Sequence, residues 1–266
     1  MTSITTWLEA LVAAKGSDLH LKVGSPPRMR VDGQLIALEG PSLSPEAAEG
    51  LLREVIRPDL FEQFQRTNEA DFAYSRPGVG RFRVNAFRQR GSVGMVLRRV
   101  QEGAMSIAEL GLPPVIARLA EQPRGLVLVT GPTGSGKTTT LAAMIDHVNA
   151  NRAVHIVTIV TIEDPIEVLH ADKLGMVNQR EVRVDTDDFT IAMRAAMRQD
   201  PDVILVGEIR DAETLKNALA AAETGHLVLS TLHTTDAAET VNRCIDLVPP
   251  FQQRQVRLSL AAALRG

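Results

Sequence analysis

Gly131-Pro-Thr-Gly-Ser-Gly-Lys-Thr138 is the stretch that decides the fold of this chain, because it fits the spacing G-x-x-x-x-G-K-[ST]. The apolar residues 126–129 before it predict a buried strand, and residues 138–149 after it predict a helix, which is the setting that the motif requires. Glycines let such a loop turn tightly enough for its N–H groups to point at a β-phosphate, and the helix N-terminus adds partial positive charge. The alternative is a glycine-rich turn with an incidental lysine. Such a turn would need neither a strand before it nor a helix after it, so the presence of both favours the phosphate loop. The stretch therefore predicts a site for ATP or GTP.

The residues of this loop have distinct predicted roles. Lys137 is expected to reach the β- and γ-phosphates, and the hydroxyl of Thr138 is expected to bind Mg²⁺. The predicted nucleotide-binding residues of the loop and the first helical turn are Gly131, Pro132, Thr133, Gly134, Ser135, Gly136, Lys137, Thr138 and Thr139.

The composition is that of a globular protein with an aliphatic core, since 44% of residues are hydrophobic and only 3% aromatic. A formal net charge of -3 argues against non-specific nucleic-acid binding. The single cysteine, Cys244, excludes an internal disulfide and suits a reducing compartment. No apolar run approaches the roughly 20 residues of a membrane span, and the N-terminus lacks a signal-peptide pattern, so we expect a cytoplasmic protein.

The pattern of the chain changes near residue 103. Residues 1–102 predict a small α+β domain in which 71–74, 81–87 and 93–100 alternate like antiparallel strands. From residue 103, strands alternate with helices, which predicts an α/β fold with a mainly parallel sheet and helices on both faces. The predicted strands lie near 126–129, 155–162, 203–206 and 227–231, and the helices near 138–149, 188–198, 212–223 and 254–264.

Arginines are concentrated between residues 71 and 99, a stretch with seven arginines, no lysine and one acid, Asp71. They either cover the solvated face of a sheet or form a surface that binds phosphate. Arginine without lysine favours planar, bidentate recognition of an anion. The residues alone leave both interpretations open.

Acidic residues follow two of the predicted strands, at the edge where parallel sheets place their ligands. Glu208 follows the strand 203–206, and Glu163 follows the strand that ends at Ile162. We expect Glu208 to orient the attacking water and Glu163 to be a second catalytic acid that also binds Mg²⁺. Asp164 and Glu167, on either side of Pro165, are either further ligands or residues of a solvated turn. Position 207 is glycine, where such strands usually carry an aspartate.

Two histidines flank the strand 227–231. His233, at its carboxyl end, is expected to sense a γ-phosphate, whereas His226 is as well explained by structural hydrogen bonds. Seven residues separate them, so along one strand they face opposite sides and do not share a metal.

The segment from Met197-Arg198 through Val203-Ile-Leu-Val-Gly207-Glu208 to Arg210-Asp211 resembles the long signature of the type II secretion and type IV pilus ATPases. The loop 131–138, Ile162-Glu-Asp-Pro-Ile-Glu167 and Gly225-His-Leu-Val-Leu-Ser-Thr-Leu-His233-Thr are similar to the Walker A, Asp box and His box of that family, in the same order. The similarity covers essentially the whole chain.

This resemblance implies a RecA-like ATPase core over 103–266 behind a PAS-like domain over 1–102. It further implies a homo-hexameric motor that uses ATP and Mg²⁺ at the cytoplasmic face of the inner membrane. Such a motor reaches the membrane only through partners, chiefly an inner-membrane pilus platform protein, and binds no nucleic acid.

The early segment Ser17-Asp-Leu-His20, followed by Pro26-Pro27, resembles the branch of the family that powers pilus retraction and twitching motility. A pilus-extension or type II secretion ATPase is the alternative. A nucleic-acid translocase is a more remote one, since the chain has an acidic balance and lacks an aromatic stacking platform.

The resemblance also assigns arginines. It implies that Arg83 and Arg98 of one copy, with Arg81 behind them, reach the triphosphate of a neighbouring copy. Arg194 and Arg198 are expected to be local phosphate sensors or ion-pair partners.

The chain departs from the family in two places. The ATPase domain is shortened at its C-terminus, which implies either a fragment or a defect in coupling hydrolysis to pulling. In addition, Val157-Thr-Ile159 is repeated at once as Val160-Thr-Ile162. Three extra residues within one strand would reverse the face of every side chain. We therefore expect Val160–Ile162 to lie in the sheet and the surplus residues to lie in the preceding loop or in a bulge.

Overall fold

The computed structural model describes residues 3–151 and 158–266, and the chain divides into two compact units, Met1–Val100 and Gln101–Gly266. The predicted domains over 1–102 and 103–266, as PAS-like and ATPase domains, stay a prediction. Among the described residues, no helix has the length and apolar character that a membrane crossing requires.

The first unit is an antiparallel sheet with helices on one face. Its sheet has six strands in the order β3-β2-β1-β6-β5-β4. Alternate residues of the central strands, such as Leu19, Phe82 and Leu97, are fully buried and pack with residues of the helices, such as Leu8 and Phe64. The elements are α1 (Ile4–Ala13), β1 (Asp18–Lys22), β2 (Arg28–Val31), β3 (Gln34–Ala37), α2 (Pro45–Val55), α3 (Pro58–Thr67), β4 (Glu69–Arg76), β5 (Gly80–Gln89) and β6 (Ser92–Arg99).

The second unit contains a five-stranded sheet, all parallel, in the order β11-β9-β12-β13-β8. This confirms the predicted α/β class. The elements are β7 (Gln101–Glu102), α4 (Pro114–Ala120), β8 (Gly125–Thr130), α5 (Lys137–Asn151), β9 (Thr158–Glu163), β10 (Val168–Leu169), β11 (Met176–Glu181), α6 (Phe189–Ala196), β12 (Val203–Val206), α7 (Ala212–Glu223), β13 (Leu227–Leu232), α8 (Ala237–Asp246) and α9 (Pro250–Ala263).

Helices cover both faces of this parallel sheet, and the strand residues alternate between two cores. Ile159, Leu205 and Leu229 belong to the core on the side of α4 and α5. Val160 and Ile162, with alternate residues of the other strands, belong to the core that contains α6, α7 and α9. The near-continuous apolar strands of the sequence are explained by this burial on both faces.

The described part of the Val-Thr-Ile repeat differs in structure from our expectation. Val160–Ile162 lie in the sheet as predicted, but Thr158 and Ile159 lie there too, in unbroken register with β11. The expectation that the surplus leaves the strand is therefore wrong for these two residues. Val157 and the predicted strand residues 155–156 lie outside the described residues.

Several helix and strand bounds also differ from the predictions. The last helix begins at Pro250 rather than at residue 254, because Pro249 and Pro250 occupy the N-cap and first helical positions. Pro58 not only follows the end of α2 but also starts α3 in the same way. The strands β3, β7, β10 and β11 and the helices α3, α4 and α8 were not predicted.

Candidate active site

The strand order places the predicted functional residues along one edge of the parallel sheet. β8 leads into the loop 131–136, its neighbour β13 leads into His233, and the next strand, β12, leads into Glu208. β9, which pairs with β12, ends at Glu163. All four strands run in the same direction, so these four groups meet at the carboxyl edge although the chain separates them widely.

The loop between β8 and α5 has the backbone that its glycines predict. Gly131 has φ +148°, and a Cβ placed there would lie 2.6 Å from the Ser135 Oγ. Lys137 Nζ donates hydrogen bonds to the carbonyl oxygens of Gly131 (2.8 Å) and Pro132 (2.9 Å). These bonds hold the ammonium over the loop, and its third N–H remains as a donor.

Glu163 is held by two side chains that the sequence reasoning missed. Its Oε1 accepts hydrogen bonds from Thr161 Oγ1 (2.7 Å) and from Gln179 Nε2 (3.2 Å). Burial raises the pKa of Glu163, and the hydrogen bonds from Thr161 and Gln179 oppose that rise. Thr161 was available from sequence, since residues two apart on a strand share a face. Gln179 was not, because its contact depends on how β11 pairs with β9.

Glu208 is nearly enclosed, with a side chain 12% exposed. Its Oε1 pairs with Arg210, a residue that we did not predict for the site. Its Oε2 lies 3.5 Å from His233 Nε2 but has no hydrogen-bond partner among the described residues, although the atom is buried. A buried carboxylate oxygen without a partner is a place where a polar molecule is strongly favoured.

These groups line one cavity of about 420 Å³. Its wall includes residues from the phosphate loop and from the strand ends that were predicted together: Thr133, Gly134, Gly136, Lys137, Thr138, Thr139, Glu163, Glu208 and His233. Asp164 and Glu167 line it as well, and Asp164 also pairs with Arg183 at 3.3 Å. His170, which we did not single out, also lines the cavity.

Several predicted or considered residues do not line this cavity, including Gly131, Pro132 and Ser135 of the loop. His226, at the opposite end of β13, has its ring Nδ1 3.0 Å from the Ala221 carbonyl oxygen, which is a structural contact. Arg194 forms an ion pair with Glu213 at 2.6 Å, which agrees with the alternative that it is an ion-pair partner rather than a phosphate sensor. Arg83 and Arg98 belong to the other unit and are described below with their own partners.

The chemistry of the cavity fits a magnesium ion that is shared with phosphates. No cluster of three or more His, Cys, Asp or Glu side chains suited to a metal occurs in the part of the chain that the structure describes. Mg²⁺ is commonly bound by one or two protein oxygens together with phosphate oxygens and waters. Thr138 and Glu163 supply such oxygens to the wall of the same cavity.

Gly207 explains why the expected aspartate is missing before Glu208. A Cβ at position 207 would lie 3.2 Å from the Ile162 carbonyl oxygen and 3.5 Å from the Glu163 Cα. Gly207 N also donates to that carbonyl at 2.8 Å. The ends of β12 and β9 are thus so close here that a side chain at position 207 would press against the backbone of Ile162 and Glu163.

The phosphate loop, the parallel sheet and the acidic strand ends define a P-loop α/β protein. The chain belongs to the type II/IV secretion system protein family, whose model matches residues 3–265.

Among relatives, the chain is 49% identical to the type IV pilus retraction ATPase PilT of Pseudomonas aeruginosa, covering 98% of this chain and 75% of that protein. It is 46% identical to a twitching motility protein of Neisseria gonorrhoeae, covering 90% of this chain and 63% of that protein. A solved structure of the pilus retraction motor PilT with bound ADP superposes with a TM-score of 0.91 at 45% identity, covering 100% of this chain and 77% of the other.

We expect Gly207→Asp to destabilise the protein by about 1–3 kcal/mol, the usual cost of overpacking, and to lower ATP turnover by displacing Glu163. Thermal unfolding and ATPase assays measure the two effects. Gly50→Asp is the control, because a Cβ at that position meets no atom within 4 Å. A Gly207→Asp protein as stable and active as the parent would show that the two strands tolerate the side chain.

Proposed function

We propose that this chain is an ATP-hydrolysing motor subunit that powers the retraction of type IV pili. The observation that carries the proposal is the shared cavity, which brings Lys137, Glu163 and Glu208 together from three separate segments. The Pseudomonas relative is named as a pilus retraction ATPase, which supports the same interpretation of the site.

The loop residues bind the triphosphate in this proposal. The backbone N–H groups of 131–138 surround the β-phosphate, and the N-terminus of α5 adds favourable electrostatics. Lys137 is already fixed over the loop by the carbonyls of Gly131 and Pro132, so it meets the β- and γ-phosphates with little loss of side-chain entropy.

Glu208 orients the attacking water. Arg210 holds its Oε1, so the unpartnered Oε2 is the oxygen that accepts a hydrogen bond from water. His233, 3.5 Å from the same oxygen, lies at the end of the strand next to the phosphate loop and senses the γ-phosphate. No covalent intermediate is required, because positioning and charge stabilisation suffice for phosphoryl transfer.

Thr138 and Glu163 would hold Mg²⁺, which would supply positive charge to neutralise the β- and γ-phosphates. Thr161 and Gln179 keep the Glu163 carboxylate in a fixed orientation, since both donate to its Oε1. The other carboxylate oxygen would then remain available to the ion.

The subunits form a homo-hexamer in which Arg83 and Arg98 of a neighbouring subunit complete each triphosphate-binding site. The ring works at the cytoplasmic face of the inner membrane, through a pilus platform protein. Its support comes from the family and from the names of the relatives.

Glu208→Gln is expected to lower ATP turnover by at least about 10²-fold, the lower range for losing a general base, while nucleotide affinity changes little. Steady-state ATPase assays and titration with a fluorescent ATP analogue separate the two quantities. Glu223→Gln removes an exposed carboxylate of the same unit and is expected to behave as the parent. Full turnover by the Glu208→Gln protein would refute its assignment.

Shared sites predict that ATPase activity per subunit falls on dilution, as rings dissociate into subunits without neighbours. Activity is measured over a range of protein concentrations, with light scattering to follow the assembly. Constant activity per subunit under conditions where the protein is monomeric would contradict a site that needs two copies.

A further inference from the structure

Two arginines lie directly opposite each other on adjacent strands of the first unit. Arg83 on β5 is the cross-strand partner of Arg98 on β6. Like charges in this position destabilise a sheet. Both side chains lie on the face that the helices leave uncovered, because their neighbours Phe82 and Leu97 point into the core. An arrangement that costs stability is a feature to be explained by function.

Each of these arginines is held by its own carboxylate, from the strand on its far side. Asp18 on β1 is the cross-strand partner of Arg98, and its Oδ1 accepts a hydrogen bond from Arg98 Nε at 2.9 Å. Asp71 on β4 accepts two hydrogen bonds from Arg83, one of them from Nε at 3.1 Å. The two adjacent arginines therefore have one acid on each outer side, in the order Asp18, Arg98, Arg83, Asp71 across the sheet.

Asp18 and Arg98 differ sharply in exposure. The Asp18 side chain is 7% exposed, whereas the Arg98 side chain is 72% exposed. Burial alone would raise the pKa of Asp18, but hydrogen bonds from Ser17 and Arg98 and the charge of Arg98 outweigh it, so the pKa lies below its usual value. An ionised carboxylate thus anchors Arg98 at Nε, while most of the Arg98 side chain remains exposed.

We propose that Asp18 and Asp71 are positioning residues, which orient the clamp formed by Arg83 and Arg98 toward the triphosphate bound by the loop 131–138 of a second copy of this chain. The proposal rests on the function proposed above and goes beyond it by assigning the two acids. The bound anion supplies the negative charge that offsets the arginine pair. The acids fix the direction of each planar group, so that less side-chain entropy is lost when the phosphates bind.

The test begins with Asp18→Asn, which keeps the shape of the side chain and removes its charge. We expect kcat to fall by about 10- to 100-fold, the effect of misplacing a catalytic group by about 1 Å, while nucleotide affinity stays close to that of the parent. Asp71→Asn is expected to act in the same direction. Asp59→Asn is the matched control, since it removes an exposed carboxylate paired with Arg57 in the same unit.

ATP turnover by mixed assemblies of two variants distinguishes a role in the shared site from a purely structural role. Lys137→Ala subunits lack the loop lysine but carry an intact clamp, so mixing them with Asp18→Asn subunits is expected to restore turnover at the intact loops. Mixing Asp18→Asn with Arg98→Ala subunits is expected to restore none, because both are defective in the same clamp.

The outcomes separate the inference from the proposed function. If Arg98→Ala is fully active, or does not complement Lys137→Ala, the shared site itself is wrong. If Arg98→Ala behaves as expected but Asp18→Asn and Asp71→Asn keep full turnover, the two acids are not positioning residues. Should Asp18→Asn fail to fold, Arg98→Lys replaces it. That variant keeps the charge but loses Nε, and full turnover by it would overturn the proposal.

Discussion

The pairing of four parallel strands in the order β9-β12-β13-β8 is the constraint on which the rest of the site depends. Because these strands run in one direction, Glu163, Glu208, His233 and the phosphate loop reach the same edge of the sheet from four separate parts of the chain. Helices on both faces bury the strands and so fix the order in which their ends reach this edge. In the proposed function, the loop binds the triphosphate and the neighbouring strand ends supply the groups that act on it.

The face of each strand residue is as important as the position of its end. Ile159, Thr161 and Glu163 alternate with Val160 and Ile162, and Ile159 packs in the core on the side of α5, the helix that begins with Lys137. A shift of β9 by three residues would send Glu163 to the other face, away from that helix. The repeated Val-Thr-Ile does not produce this shift, since β9 pairs without interruption from Thr158 to Glu163. At position 207 a Cβ would lie only 3.2 Å from the Ile162 carbonyl oxygen, a tight contact that favours glycine.

Local signals in the sequence were sufficient to predict that the phosphate loop, Glu163 and Glu208 lie together, and to predict elements with strong periodicity or caps. The bounds of β12 and of α7, which begins behind the cap Asp211, agree with the predictions. The missed strands lacked such signals: all four residues of β3 are exposed, and β11 is a largely polar edge strand. Gln179 and the Asp18–Arg98 pair could not be predicted, because their contacts arise from strand register, which no local pattern specifies. The row of charged residues across the sheet of the first unit, formed by Asp18, Arg98, Arg83 and Asp71, could be recognised only from the structure.

The central claim is that the strand ends gather acidic groups around a triphosphate held over Lys137. A crystal structure of the full chain with Mg²⁺ and a non-hydrolysable ATP analogue tests it most directly. The account predicts the phosphates along the loop 131–138, a carboxylate oxygen of Glu163 directed toward the ion, and the Oε2 of Glu208 hydrogen-bonded to a water in line with the γ-phosphate. An analogue bound elsewhere, or both carboxylates turned away from its phosphates, would contradict it.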